Sequence, residues 1–372
     1  MSAIQEVYRT SAPRPSPARR WLGIGALTLA VVIALRWGLW NAVFFATNPD
    51  TCRMADGACW AVVTSQWKLA LLGTYPYEAI WRPLVATVIL IAVFLVPLAW
   101  PRLSVLAGSW TVGLMVSIGL LDGRAFGLPL VETREWGGLP LTLLLSEAIM
   151  LLAFPIALAV ALARRSGSVL LRSLALVAVE CIRGVPLVSL LFFTTLVMPL
   201  FISGLSNLDT LTAAAIAIVL FNAAYISEVF RGGLMTVPRG QVEAARSLGF
   251  RWIGIHWLIV LPQAFKACAP SLINQAVGIV KDTSLIAVLG LFDLMHTARL
   301  TIVDVRWNEY FIEVYILIGL AYFLMCTAVA FLGRRLSSRL DVPVLAKRAG
   351  APVALRAETT AGGTASQKAT MT

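Results

Sequence analysis

A lysine and an aspartate stand side by side at Lys281 and Asp282, with Thr283 and Ser284 behind them, inside a run of otherwise apolar residues. Neighbours on a helix point about 100° apart, so these two charges cannot readily neutralise each other. One of them needs another partner, or the helix is unwound there and the two hydroxyls cover freed backbone groups. A zwitterion needs a cation for its carboxylate and an anion for its ammonium group, and Lys281 and Asp282 are the right types. Two further sets, Glu180 with Arg183 and Glu228 with Arg231, place opposite charges three residues apart on one helix face. That spacing lets each set neutralise itself; the other reading is that they face a solute path, as ionisable residues in apolar spans often do. Gly184, Pro186 and Gly232 follow closely, so the backbone is expected to bend beside each set, and broken helices of this kind line cavities. Glu147 stays open between a buried polar contact and a pore residue.

Other chemistry is excluded by what the chain lacks. It has no G-x-x-x-x-G-K-[ST] run to cradle nucleotide phosphates. Its two histidines, His256 and His296, have no metal-ligand company, so no metal site and no Ser/His/Asp arrangement is expected. Any covalent chemistry must come from another subunit. Of five cysteines, Cys181, Cys268 and Cys326 lie in apolar runs. Cys52 and Cys59 share a polar loop, which leaves open a disulfide, if the loop is extracytoplasmic, or two solvated thiols.

The elements that position these residues are membrane spans. Of 372 residues, 59% are apolar and 13% charged, with a mean hydropathy of +0.83. A soluble domain carries about 25% charge, so a conventional soluble enzyme is excluded and an all-α polytopic membrane protein is expected. The net charge of +11 does not point to nucleic acid, because no stretch interleaves basic and aromatic residues in a polar setting. Spans are expected at about 21–45, 84–100, 103–121, 139–163, 169–200, 209–229, 268–292 and 311–333, eight in all. The fifth is too long for one straight helix and should break at Pro186. With both termini cytoplasmic, the inside segments hold 20 lysines and arginines and the outside segments 7. The positive-inside rule selects that orientation. The first three spans have tryptophan-rich ends, typical of interfacial belts, and the tail after about Asp341 is compositionally disordered. The divisions are a cytoplasmic tail (1–20), a three-helix extension (21–138), a core (139–338) and a second cytoplasmic tail (339–372).

Between the sixth and seventh spans runs RGGLMTVPRGQVEAARSLGFRWIGIHWLIVLPQAF. Pro238 suits a first helical turn. Gln241 to Leu248 reads as a short helix, stopped at Gly249 in the left-handed conformation that glycine adopts cheaply. Phe250 to Val260 reads as a second short helix ending before Leu261-Pro262. Ala244 and Ala245 would allow close approach by a partner, although an amphipathic helix on lipid headgroups fits the same pattern.

These residues resemble a known family. Glu243-Ala244-Ala245, Gly249, Ile259 and Leu261-Pro262 match the EAA loop of ABC importer permeases at every fixed position. Three more motifs are similar to the polar amino-acid branch (histidine, glutamine and general L-amino-acid systems): ECIRGVPL from Glu180, AYISEVFRGGL from Ala224 and VKDTSLIAVLG from Val280. The extension resembles that of the larger permease subunit of general L-amino-acid uptake systems. The resemblance implies a type I ABC importer permease in the bacterial inner membrane, with a five-helix core and three added helices. It implies a coupling loop (230–264) docking on a cytoplasmic ATPase dimer that binds the ATP and magnesium. The chain itself would need no cofactor. It implies a second, distinct permease, a periplasmic amino-acid-binding protein, and a translocation path near Lys281, Asp282, Thr283 and Ser284. The rival is an ion-gradient-driven secondary amino-acid transporter using Glu180, Glu228 and Asp282. That rival leaves the EAA-type loop without a purpose; a membrane scaffold for assembling other proteins is a second, non-transport rival.

Overall fold

The computed structural model describes residues 17–46, 48–100, 102–202, 204 and 208–339. The expected tails lie outside them, apart from residues 17–20 and 339, which are helical. The described chain is almost entirely helix. Helix α1 is Pro17–Leu35, and three short helices, α2 (Asp50–Arg53), α3 (Ala61–Ser65) and α4 (Trp67–Leu72), follow in the first long loop. The long helices are α5 (Trp81–Ala99), α6 (Leu103–Asp122) and α7 (Gly138–Ala163). Next come α8 (Val169–Arg183) and α9 (Leu187–Phe201), bent 106° to each other, then α10 (Thr210–Met235). The chain finishes with α11 (Arg239–Ser247), a 38-residue helix α12 (Trp252–Leu289), α13 (Leu294–Val303) and α14 (Phe311–Arg339).

Among the described residues seven helices are long and apolar enough to cross a membrane, eight if the bent pair counts as one span. Packing decides that count. Thr133, ahead of α7, donates to Asp209, the N-cap of α10, at 2.8 Å, and Arg165, after α7, donates to the Leu234 carbonyl near the end of α10 at 2.6 Å. Helices α7 and α10 therefore run parallel, and α8 with α9 must make one return crossing between them. Helix α12 runs the opposite way, with Asp282 beside Asn222 and Ala264 beside Gly233. A Cβ on Gly233 would meet the Ala264 carbonyl oxygen at 2.7 Å and Cys268 Sγ at 3.0 Å, so glycine sets how closely α10 and α12 approach. Phe230 fills the junction of three helices, edge-on to Phe154 of α7 at 6.5 Å and Phe265 of α12 at 5.0 Å.

The end opposite α11 is closed by the extension. Cys52 and Cys59 form a disulfide with a Cα–Cα separation of 5.5 Å. The Cys59 amide donates to Glu313 at 2.9 Å, Arg53 pairs with Glu309 at 3.3 Å, and the Tyr310 hydroxyl donates to the Pro49 carbonyl at 3.3 Å. The loop is thus fastened to the start of α14. Thr297 of α13 donates to the Ala70 carbonyl of α4 at 3.0 Å. Gly137 and Gly138 bridge to Phe292 and Asp293, which holds α13 against the start of α7. Helices α5 and α6 pair with each other and lie on α7. By contrast, every residue of α1 from Trp21 to Leu35 is exposed.

Four expected boundaries are corrected, the last being the eighth span, which continues to Arg339 rather than 333. The first span ends in a π-helical turn at Arg36–Trp40, and residues 41–46 leave the helix because Val43 pairs with Cys59. The sixth span continues to Met235 rather than 229. The seventh span begins at Trp252 rather than 268, and no stop occurs before Leu261-Pro262. A wider π turn at Ile255–Val260 leads into Leu261, and Pro262 then sits in a first α-helical turn, where its missing N–H is tolerated.

Candidate functional site

Helix α11 stands between the ends of α10 and α12. Val237, half-buried, and Pro238 turn the chain, and Ala245 is the one buried residue of α11, while Glu243 and Ala244 face outward. Its end is a Schellman turn: the Gly249 amide donates to the Arg246 carbonyl at 2.9 Å and the Phe250 amide to the Ala245 carbonyl at 3.1 Å. Gly249 has φ +82° with nothing within 4 Å of a Cβ, so conformation rather than space demands glycine there. Gln263 donates to Gln241 at 2.7 Å and ties α11 to α12. Ile259 is half-buried and Leu261 buried, whereas Leu248, Ile253, Trp257 and Leu258, in the segment after α11, stand exposed. His256 stacks on Trp252 at 4.0 Å, with its Nδ1 2.8 Å from the Trp252 carbonyl.

The two charged sets are one cluster, gathered by Arg164. Arg164, at the end of α7, bonds Glu228 of α10 directly and lies 4.0 Å from Glu180 of α8. Arg183 lies 3.9 Å from Glu180 and 3.6 Å from Glu228, and Arg231 donates to Glu228 at 2.8 Å. The Arg183 guanidinium also covers the Tyr225 ring at 5.3 Å. The only signal for Arg164 was its place at the end of a span, next to Arg165.

Asp282 has a partner on another helix: Asn222 donates to it at 3.2 Å. Lys281 is exposed and makes no ion pair among the described residues. The backbone does not unwind after them; it tightens into a 3₁₀ segment at Thr283–Leu289. Thr283 and Ser284 donate to the carbonyls of Val280 and Lys281 at 2.8 and 2.7 Å, so the hydroxyls satisfy backbone groups as their types suggest. Asn222, 12 residues into α10, sets the depth of this polar group near the middle of the bundle. Glu147 is buried on α7 with both carboxylate oxygens unbonded among the described residues.

At the opposite end, Asp293 caps α13 by accepting from the amides of Met295 and His296 at 3.1 and 2.9 Å, and from the Tyr322 hydroxyl at 3.2 Å. Burial pushes its carboxyl up to about 6 despite those donors.

The described chain is a helical membrane bundle that presents a short capped helix at one end. The chain belongs to the family of binding-protein-dependent transport system inner membrane components, whose model matches residues 153–342. An inner membrane amino-acid ABC transporter permease protein of Escherichia coli, YhdY, is 34% identical over 311 residues, covering 82% of this chain and 84% of that one. The glutamate/glutamine/aspartate/asparagine transport system permease protein BztC of Rhodobacter capsulatus is 31% identical, covering 84% and 92%. A probable glutamine ABC transporter permease of Bacillus subtilis is 33% identical but takes in 55% of this chain and 92% of its own length. A solved amino acid ABC transporter matches 53% of the chain at 29% identity with a TM-score of 0.47. The two long relatives thus match this chain well beyond the family region. Membership in this family leaves the ion-gradient carrier without support.

Proposed function

We propose that this chain is the permease subunit of an ATP-driven importer of amino acids, worked through α11 by a separate ATPase. The observation that carries the reading is the capped α11, with Glu243 and Ala244 exposed and the apolar Leu248, Ile253, Trp257 and Leu258 exposed in the segment that follows them. The long relatives are named for amino-acid and for glutamate, glutamine, aspartate and asparagine transport, which supports a polar amino acid as solute. In this reading the α11 end is cytoplasmic, as the excess of lysine and arginine there requires. The disulfide then faces the oxidising side, where a periplasmic binding protein would deliver solute. A second, distinct permease completes the pathway, an ATPase dimer supplies the ATP and magnesium chemistry, and both termini lie in the cytoplasm of the bacterial cell. Lys281 and Asp282 line the path at the solute's carboxylate and ammonium group, with Thr283 and Ser284 shaping the turn. The test is purification of the chain from its native membrane in mild detergent, with co-purifying subunits identified by mass. An ATP-binding subunit and a second permease are expected, and Gly249→Val should lose the ATP-binding subunit while the spans stay inserted. A chain that purifies alone from a membrane where it supports uptake would refute the proposal.

A further inference from the structure

We infer that Arg164 and Glu228 form a fixed tie that carries motion of the coupling loop across to the bent span α8–α9, which makes them positioning residues of the transport cycle. The inference rests on the docking of α11 proposed above.

Helix α11 joins α10 through residues 236–238, so a pull on α11 reaches α10 directly. Reaching the return span is harder. Helix α8 contributes a single buried side chain, Val179, while Leu170, Leu171 and Leu174 are exposed, so apolar packing holds it only weakly to its own chain. What fastens it is charge. One carboxylate, Glu228, gathers guanidinium groups from three helices: Arg164 from α7, Arg183 from α8 and Arg231 from α10. Glu180 adds a second contact from α8 to Arg164 and Arg183. The centre of the cluster is shielded, with the Arg164 side chain 9% and the Glu228 side chain 17% exposed. Charges so placed are little weakened by salt, and losing one partner leaves another unbalanced.

The same geometry argues against a solute subsite. Glu228 Oε1 bonds Arg164 and Oε2 bonds Arg231, so its negative charge is already balanced by guanidinium groups and has little left to offer an ammonium group. Because α8 meets α9 at 106°, a shift of α8 with α10 swings the return span.

The test uses the whole complex in liposomes and reads solute moved per ATP hydrolysed. In Arg164→Gln, Glu228 keeps Arg231 and Arg183, so the chain should still assemble with its ATPase. Hydrolysis is expected to stay within about twofold, while solute per ATP falls about tenfold and the half-saturating solute concentration is unchanged. Arg164→Lys, which keeps the charge, should recover about a third or more of the coupling. An unchanged ratio in Arg164→Gln would overturn the tie, and a change confined to half-saturation would make the cluster a solute site instead. Should Arg164→Gln fail to assemble, Arg183→Gln, which removes the 3.6 and 3.9 Å contacts and the cover over Tyr225, must lower the same ratio. Absence of the ATPase from the unsubstituted complex would refute the docking of α11 itself, and the tie with it.

Discussion

Substitution at Gly249 separates the conformation of the coupling loop from its chemistry. The residue sits at φ +82° and no atom lies within 4 Å of where a Cβ would be, so alanine there meets no clash. The cost of Gly249→Ala is a backbone cost, about 1–2 kcal/mol for an L residue held left-handed. At about 1.4 kcal/mol per factor of ten, the capped loop becomes about 5- to 30-fold less favoured against its alternatives. Apparent affinity for the ATPase falls by up to that factor, because only the capped form is competent to dock. Asparagine is larger than alanine yet tolerates the left-handed region, so it should lie between glycine and alanine. Valine, stiffened by its branch, should fall below alanine. The assay is titration of purified ATPase onto the permease in lipid nanodiscs for all four residues, with helix content checked. Affinity in the order Gly, Asn, Ala, Val supports the reasoning. An order that follows side-chain size, with asparagine worse than alanine, would refute it, as would four equal affinities.

Cutting the disulfide with Cys52→Ser and Cys59→Ser should cost the first outer loop about 2–3 kcal/mol through regained loop entropy. Trypsin cleavage after the exposed Arg53 should then rise about tenfold or more while the spans stay intact. The raised carboxyl of Asp293 makes an unfavourable contribution that is absent below its ordinary value of 3.8, grows as pH rises to about 6 and is constant above. The end of the bundle around α13 should therefore be more stable at pH 5 than at pH 7, by at most about 3 kcal/mol over the whole range. An infrared carboxyl band titrating near 6 in the unsubstituted protein, and missing in Asp293→Asn, checks the assignment. Asp282→Asn and Lys281→Gln should each raise the half-saturating amino-acid concentration about tenfold, with normal assembly, if they meet the solute's charged ends; unchanged uptake kinetics in both would remove them from the path.

The spans were legible because a bilayer demands long apolar helices, and α7 begins at Gly138, one residue from its expected start. The break near Pro186 was equally plain, since proline and glycine leave the backbone few alternatives. So was the stop at Gly249. The run of helix through Pro262 was not legible, because a π turn that admits proline leaves no composition signal. Arg164 was missed for a different reason. Its partners sit 16 and 64 residues away, and only the parallel packing of α7 and α10 brings them together. Asn222 as the partner of Asp282 depends likewise on the crossing of α10 and α12, which local patterning does not encode.

The central claim is that ATP hydrolysis by a partner drives amino acids through this chain. It is tested most directly by reconstituting the purified complex in liposomes, with ATP at the α11 face and binding protein with labelled amino acid at the disulfide face. Uptake should require ATP and the binding protein together, persist when ionophores collapse every ion gradient, and vanish in Gly249→Val. Uptake that needs no ATP and follows an imposed proton or sodium gradient would contradict the account.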